Sequence, residues 1–392
     1  MNRIKAQLES SLVNFLTDLI AIPTTYPPGD TENICKYVEE RLKPCGYQID
    51  HYMSCSPTDN LIARIDSVCP SESPSIAFNV HVDTVEPGSP AVWEGDPYQA
   101  HIRDGRLYGL GSTNCKGSMA LHIWLAEEIY RRGGIKRGSL TFSFVGDEEA
   151  LGPNGTKMLR DKSVLTPDIL IVGAPTSNDL LIDERGVMWL RLTAHGTGGH
   201  AGDPASADNA IDRLVRLLSS LEIRIFQKLS GRKQGDISST VNVGKIYGGT
   251  NTNVVPERAA AEIDRRLLPS ECVSEALAEI QTALDESGEP KDSYELELLV
   301  GTNGFQGKSN GLGVNAFSEA ITKTLGRDPN FLTPVGAFDG RHFAADNIEI
   351  INTGPGESSE GHGPNESILI TELTDAAEIH INAIESLLGF NG

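Results

Sequence analysis

The 392-residue sequence is poor in several residue classes, and each shortage argues against a class of protein. Its six cysteines include no Cys-x-x-Cys pair, which is typical of a reducing compartment and not of a disulfide scaffold. Basic residues are scarce, since 33 Lys and Arg face 54 Asp and Glu, and the net charge of −21 disfavours nucleic acid and anionic lipid as partners. No apolar run approaches the roughly 18 residues of a membrane helix, and the N-terminus lacks a signal-peptide core. We therefore expect a cytoplasmic protein with no nucleic acid and no membrane partner.

The sequence does have the length and apolar content for more than one domain. Hydrophobic residues make up 39% of it, enough to bury a sizeable core. Apolar residues recur at helical spacing near the start of the chain, after Lys116 and at the C-terminus. Strand-like runs, such as 75–79 and 169–172, alternate with these helices. This alternation predicts an α/β layered domain.

The pattern changes after Arg185. Between 187 and 299 the predicted order of elements is β-α-β-β-α-β, the ferredoxin-like arrangement. We therefore predict a catalytic domain formed by residues 1–184 and 300–392, interrupted by an inserted lid domain at residues 185–299.

Imidazole and carboxylate groups follow three of the predicted strands. His81 and Asp83 are two residues apart and so point to the same side of an extended backbone, Glu148 and Glu149 are adjacent, and His362 lies in a Gly/Pro-rich loop. Each group alone has an ordinary explanation, such as a hydrogen-bonded turn or a solvated loop. Together they provide the ligands of a zinc hydrolase and a neighbouring carboxylate that can act as general base. Because functional residues gather beyond the C-terminal ends of strands in α/β domains, we predict a single hydrolytic metal site.

Four blocks of the sequence, in order, resemble successive blocks of the M20 metallopeptidases. They are HVDTVEPG at 81–88, YGLGSTNCKG at 108–117, GDEE at 146–149 and GAPT at 173–176. The branch that the sequence resembles contains acetylornithine deacetylase and succinyl-diaminopimelate desuccinylase. The resemblance covers nearly the whole chain, and it implies a mixed-sheet, zinc-peptidase-like catalytic domain with an inserted ferredoxin-like lid and dimerisation domain. It also implies two Zn²⁺ ions, with Co²⁺ or Mn²⁺ as alternatives, and hydrolysis of the amide bond of N-acyl amino acids or short peptides.

The resemblance further implies roles for individual residues of the catalytic domain. His81 corresponds to a ligand of one metal, and Asp83 to the carboxylate that orients this histidine. Glu149 and His362 correspond to ligands of the other metal. Glu148 corresponds to the general base that takes a proton from the attacking water.

In the inserted domain, His200 corresponds to a histidine that reaches the active site of a neighbouring subunit and stabilises the oxyanion, which implies a homodimer. Asn253, Arg266 and Arg341 correspond to substrate-binding positions. An arginine can hold a substrate carboxylate through two parallel hydrogen bonds. A salt bridge within the lid is the alternative role for Arg266.

Two metal-ligand positions depart from the family pattern. Asn114 stands where the family has an aspartate that bridges the two metals, and Ala174 stands where it has an acidic ligand. Three carboxylates and a hydroxide balance the two divalent cations in the family, whereas only Glu149 remains here. We therefore expect at most one tightly bound metal and impaired amide hydrolysis.

Three explanations of these substitutions stay open at the level of sequence. They could be changes that trap substrate in an otherwise active enzyme, or mark a natural pseudo-hydrolase. They could also accompany altered chemistry, such as acyl transfer or amide formation, in which Cys115 would be a candidate nucleophile beside its more ordinary role as a small packing residue. The alternative function is therefore a non-catalytic or altered protein that binds acylated amino acids or peptides in the same pocket.

Overall fold

The structure is a computed structural model that describes residues 2–55, 57–72, 74–333 and 336–392. The helices of six residues or more in these ranges are α1 Asn2–Ile20, α2 Glu32–Leu42, α3 Lys116–Arg131, α4 Thr156–Asp161, α5 Ala210–Leu221, α6 Val273–Asp285, α7 Leu312–Leu325 and α8 Ile370–Leu388. The strands of three residues or more are β1 Gln48–Cys55, β2 Thr58–Asp66, β3 Ser75–His81, β4 His101–Arg103, β5 Arg106–Tyr108, β6 Ser139–Val145, β7 Ile169–Gly173, β8 Gly186–His195, β9 Thr240–Gly248, β10 Arg258–Leu267, β11 Tyr294–Thr302, β12 Glu349–Thr353 and β13 Ser367–Leu369. None of the helices in the described ranges is both long and apolar enough to cross a bilayer.

The described residues form two compact units. Unit 1 contains the residues up to Ile182 together with Gly307–Leu332 and Phe338–Gly392. Unit 2 contains Asp183–Gln306 and the described part of 333–337. A single continuous segment therefore forms almost all of unit 2, and unit 1 is assembled from the chain on both sides of it.

Unit 1 is built on a six-stranded mixed sheet, in the order β1-β2-β6-β3-β7-β12. The four strands β6, β3, β7 and β12 run parallel to one another, whereas β2 pairs antiparallel with both β1 and β6. Strand β7, with the sequence Ile-Leu-Ile-Val-Gly, is buried along its whole length, as a parallel strand covered on both faces should be. A smaller sheet pairs β5 with β4 and β13. The prediction of a mixed-sheet α/β domain is confirmed.

Helices α1, α3 and α8 pack against one another in the core of unit 1. Helix α1 buries Leu12, Phe15 and Leu19, which recur at helical spacing on one face. It ends at Ile20, shortly before Pro23, which cannot continue a helix. The apolar pattern of the N-terminal residues therefore decides how this helix packs, and Pro23 decides where it ends.

Unit 2 has a four-stranded antiparallel sheet in the order β9-β10-β8-β11. Helices α5 and α6 pack on this sheet through apolar residues such as Leu214, Leu217 and Ile280. Chain order β8-α5-β9-β10-α6-β11 with this strand order is the predicted ferredoxin-like arrangement, and the prediction is confirmed. Helix α5 continues through a π-helical turn at Glu222–Phe226 and a last turn at Gln227–Leu229.

Candidate metal centre and active site

Three parallel strands of unit 1 end side by side. Strand β3 ends at His81, and its neighbours β6 and β7 end at Val145 and Gly173. Because parallel strands present their C-terminal ends at one edge, the residues that follow them are brought together. This edge carries the residues predicted for the metal site.

The Asp83 carboxylate ties two of these strand ends to each other. It is fully buried and accepts hydrogen bonds from the backbone N–H groups of Glu148 (3.4 Å) and Glu149 (3.0 Å). Its Oδ1 lies 3.5 Å from Nδ1 of His81, and its backbone carbonyl oxygen lies 3.0 Å from the same nitrogen. These contacts fix the His81 ring, and its Nε2 lies 4.0 Å from Oε2 of Glu148.

His81, Glu148 and Glu149 offer potential ligand atoms that all lie within 4.8 Å of one another. Burial is the largest influence on Glu148 and raises its pKa to about 7, partly opposed by the nearby His81. Burial lowers the pKa of His81, but Cys115, Glu148 and Asp83 outweigh this effect and raise its pKa above the usual value. A carboxylate whose pKa is raised into the neutral range is suited to taking up and releasing a proton.

Asn114 bridges the remaining predicted ligands with a neutral group. Its Nδ2 donates to Oε1 of Glu149 (3.0 Å) and lies 2.8 Å from Nε2 of His362, while the two partners are 2.9 Å apart. The hydrogen bond from His362 to Glu149 raises the pKa of this histidine. The amide therefore lies beside both the carboxylate and the imidazole that are predicted to hold the second metal.

Glu366 is a buried residue of this site for which the sequence offered no signal. Its carboxylate accepts hydrogen bonds from the backbone N–H groups of Gly111 (2.8 Å), Thr113 (2.9 Å) and Asn114 (2.8 Å). These bonds hold the loop that carries Asn114. Glu366 follows no strand and lies four residues after His362, within a loop of mixed polar residues, so no periodicity or motif singles it out.

Ala174 and Cys115 lie together at the end of β7. Ala174 is fully buried, and its methyl group offers no ligand atom. The Cys115 thiol is also buried, and its Sγ lies 3.3 Å from the carbonyl oxygen of Gly173 and 3.2 Å from Oδ1 of Asn114. Burial raises the pKa of this thiol.

Arg341 reaches the site from the segment that precedes β12. Its guanidinium is buried, with Nη1 at 3.5 Å from Oε1 of Glu148 and Nη2 at 3.7 Å from Oδ1 of Asp339. Its role in binding substrate stays a prediction. What the geometry adds is a direct ion pair between this arginine and the predicted general base.

The predicted lid residues all belong to unit 2. His200 and Asn253 lie on neighbouring segments, because Gly199–His200 pairs with Val254–Val255 and the carbonyl oxygen of Asn253 accepts a hydrogen bond from the N–H of Ala201 (3.1 Å). Both side chains are exposed. Arg266 forms a two-pronged ion pair with Asp264 (2.8 and 3.0 Å), the salt bridge weighed as its alternative role. Substrate binding by Asn253 and Arg266 stays a prediction.

The donor set of unit 1 fits one divalent cation better than two. His81, Glu149 and His362 are imidazole and carboxylate donors of the kind that zinc uses. The position of Ala174 contributes no ligand atom, and the Asn114 amide already donates a hydrogen bond to the Glu149 carboxylate. A neutral amide in place of a bridging carboxylate leaves the repulsion between two adjacent cations uncompensated.

The chain is similar to known proteins over most of its length. Residues 77–386 match the sequence profile of peptidase family M20/M25/M40. The chain is 30% identical over 388 residues to a succinyl-diaminopimelate desuccinylase of Bordetella avium, covering 97% of this chain and 99% of that protein. It is 29% identical over 381 residues to the desuccinylase of Parvibaculum lavamentivorans, covering 94% and 93% of the two chains.

Solved structures show the same fold at lower sequence identity. An M20 family metallo-carboxypeptidase from Sulfolobus solfataricus superposes with a TM-score of 0.80 at 18% identity, covering 96% of this chain and 98% of that one. A dinuclear metal binding peptidase of the M20 family from Bacillus subtilis superposes with a TM-score of 0.69 at 18% identity, covering 97% and 99%. The profile match spans most of the chain, and the relative from Bordetella avium matches it almost from end to end. The chain belongs to peptidase family M20/M25/M40.

Proposed function

We propose that this protein is a metal-dependent hydrolase that cleaves the amide bond of an N-acylated amino acid or a short peptide. The observation that carries the proposal is the convergence of His81, Glu148 and Glu149 around the buried Asp83. The relatives from Bordetella avium and Parvibaculum lavamentivorans, which are desuccinylases, support this class of substrate.

Within this proposal, His81 and Glu149 hold a divalent cation, with His362 as a further donor on the exposed side. When bound, such an ion acidifies water and polarises the scissile carbonyl group. Glu148 takes the proton of the attacking water and delivers it to the leaving amine. Arg341 holds the Glu148 carboxylate in place through their ion pair.

The lid residues complete the proposed mechanism. His200 stabilises the negative charge that develops on the carbonyl oxygen, and Asn253 and Arg266 bind the polar end of the substrate. Because the family pattern places His200 in the active site of a neighbouring subunit, we propose a homodimer. The exposed edge strand β9 of unit 2, with exposed Ile246 and Tyr247, is a surface suited to this contact.

The test is hydrolysis of a panel of N-succinyl, N-acetyl and longer N-acyl amino acids and dipeptides by the Zn²⁺-loaded protein. Glu148→Gln should lower kcat by at least about 100-fold, because it removes the proton acceptor with little change of shape. Glu319→Gln, the same change at an exposed position of α7, should leave kcat unaltered. A chelator should abolish the activity of the unmodified protein, and re-addition of metal should restore it.

The panel also separates hydrolysis from the alternative function. Tight binding of an acylated amino acid, with no turnover at any metal loading and no effect of chelator on affinity, would contradict the proposal. That result would identify a binding protein that uses the same pocket.

A further inference from the structure

The loop that carries His200, residues 196–208, is closed at its base by the backbone. The N–H groups of Thr197 and Asp208 donate to each other's carbonyl oxygens (2.8 and 3.0 Å), so the chain leaves unit 2 and returns to it at one point. Gly196 lies so close to this point that a Cβ on it would overlap the carbonyl oxygen of Asp208. The exposed side chain of His200 therefore extends from a narrow neck.

A buried arginine of α5 joins the two ends of this loop. Arg213 is 7% exposed, and its guanidinium donates to the carbonyl oxygen of His195, just before the loop, and to the carboxylate of Asp208, the last residue of the loop. Its Nε donates to Oε2 of Glu289 (2.8 Å). Because a guanidinium presents its donors in a rigid planar fork, one arginine can fix several acceptors at once. Arg213 therefore ties both ends of the loop to α5.

Within the loop, the backbone orients the His200 ring. The N–H of Gly202 donates to Nδ1 of His200 (3.0 Å), and the N–H of Ala201 donates to the carbonyl oxygen of Asn253 (3.1 Å). With Nδ1 as an acceptor, the neutral imidazole carries its proton on Nε2. An N–H group is the donor that stabilises a developing oxyanion. The ring is therefore presented as a hydrogen-bond donor as long as the loop keeps this shape.

We propose that Arg213 is a positioning residue, which holds the loop at 196–208 in the shape that presents the Nε2–H group of His200. Arg213 contacts neither substrate nor metal in this role and acts through His200 alone. It holds the loop at the carbonyl oxygen of His195 and at the carboxylate of Asp208. This inference rests on the proposed function in one respect, the role of His200 as the donor to the oxyanion.

The test begins with steady-state kinetics of the full-length, Zn²⁺-loaded protein on the best substrate of the panel. Arg213→Gln should lower kcat by at least about tenfold and leave KM within about twofold, because the affected interaction forms only in the transition state. Asp208→Ala removes one anchor of the loop, keeps the pair between Arg213 and Glu289, and should have the same effect. Arg216→Gln is the matched control, since this exposed arginine of α5 pairs with the other oxygen of Glu289, and kcat should stay unaltered.

Two further measurements separate positioning from a general loss of stability. His200→Ala should lower kcat at least as much as Arg213→Gln does, and the double variant should lose little beyond His200→Ala alone, because Arg213 acts through that ring. Hydrogen–deuterium exchange of the amides in 196–208 should become at least about tenfold faster in Arg213→Gln and in Asp208→Ala. It should stay unchanged in Arg216→Gln.

Three results would overturn the inference. Unchanged kcat in both Arg213→Gln and Asp208→Ala would show that the loop needs no such anchor. Additive losses in the double variant with His200→Ala would show that Arg213 acts by another route. Unchanged hydrogen exchange in 196–208 would exclude a hold on the loop, and this measurement needs no turnover. If the panel contains no substrate, the proposed function fails, and exchange still decides whether Arg213 holds the loop.

Discussion

At the scale of single residues, Asp83 connects more of the site than any one ligand does. Its carboxylate accepts the N–H groups of Glu148 and Glu149, and it also faces the imidazole of His81. A change at this position therefore disturbs two strand ends at once, although Asp83 touches neither metal nor substrate in the proposed mechanism.

Asp83→Asn tests this role. The two oxygens of Asp83 accept hydrogen bonds from backbone N–H groups, and the amide nitrogen of an asparagine cannot accept such a bond. We therefore expect metal affinity and kcat/KM to fall by roughly 10- to 100-fold. Competition with a chromophoric chelator measures the affinity. Asp66→Asn, at an exposed position of β2, is the control. Unchanged affinity in Asp83→Asn would contradict the positioning role.

Asn114 and Ala174, the two departures from the family pattern, give a second prediction at the scale of single residues. The unmodified chain should bind about one Zn²⁺ per molecule, because Asn114 cannot bridge two cations. Asn114→Asp with Ala174→Glu should raise the stoichiometry towards two and increase kcat/KM. Elemental analysis after gel filtration measures the metal content. Two Zn²⁺ ions on the unmodified chain would refute the single-metal site.

The sequence predicts the positions of some site residues and not of others, for physical reasons. His81 is the last residue of a buried apolar strand, Glu148 follows the end of another by three residues, and the pattern of both strands is visible in the sequence. Glu366 acts through backbone N–H groups more than 250 positions away, and no local pattern records such a contact.

At the scale of secondary structure, the strongly apolar elements are predictable and the weakly patterned ones are not. Strands β3, β6 and β7 are buried apolar runs, and their parallel pairing creates the site. The antiparallel hairpin β1–β2 was not predicted, since the sequence of β1 mixes polar and apolar residues without strict alternation. Helix α7 was also not predicted. The chain enters this helix from a Gly/Ser-rich stretch, whose composition indicates a loop.

The packing of α3 against α8 contains two buried histidines. His122 of α3 and His380 of α8 are fully buried with ring centroids 6.4 Å apart, and both contact Phe78. Among the described residues, neither ring nitrogen of His122 has a hydrogen-bond partner. Burial, and then His380, lowers the pKa of His122, and burial lowers the pKa of His380 to about 4.

These histidines should make the fold sensitive to acid. In the unfolded chain they titrate near 6.5, so the unfolded state binds more protons than the folded state once the pH falls below that value. The free energy of unfolding should therefore decrease as the pH falls from about 6.5 to about 4. His122→Leu should reduce this decrease and stabilise the fold by roughly 1 kcal/mol at neutral pH, because it removes an unsatisfied buried polar group.

Thermal unfolding of His122→Leu between pH 7.5 and pH 5 measures the effect. His101→Leu, which removes an exposed histidine of β4, is the control and should follow the unmodified protein. An identical loss of Tm on acidification in His122→Leu and the unmodified protein would show that the buried pair does not cause the acid sensitivity.

At the scale of the whole molecule, two features bear on the proposed association of two copies of the chain. The edge strand β9 is exposed, and each chain carries a net charge of −21. We expect a dimer at micromolar concentration that is stabilised by added salt, since salt screens the repulsion between two acidic chains. Sedimentation velocity at several salt concentrations measures this. A monomer at every concentration and ionic strength would contradict the proposed homodimer.

A substitution on this strand identifies the contact surface. Ile246→Lys places a charge on the exposed face of β9 and should weaken the dimer by at least about tenfold, because a buried unpaired charge is unfavourable. Val68→Lys makes a comparable change at a still more exposed apolar residue of unit 1 and should leave the dimer intact.

The interrupted course of the chain through unit 1 also has a consequence for biosynthesis. One continuous segment, Asp183–Gln306, forms almost all of unit 2. Its sheet can therefore form while the ribosome is still translating the later part of unit 1. Unit 1 is not complete until β12 and α8, which follow unit 2 in the chain and supply an edge strand and a core helix, have emerged. The edge of the sheet where β12 will pair stays open until then, and with it the apolar surface that α8 will cover. Unit 1 is therefore the part of the protein that we expect to need more protection from aggregation during synthesis.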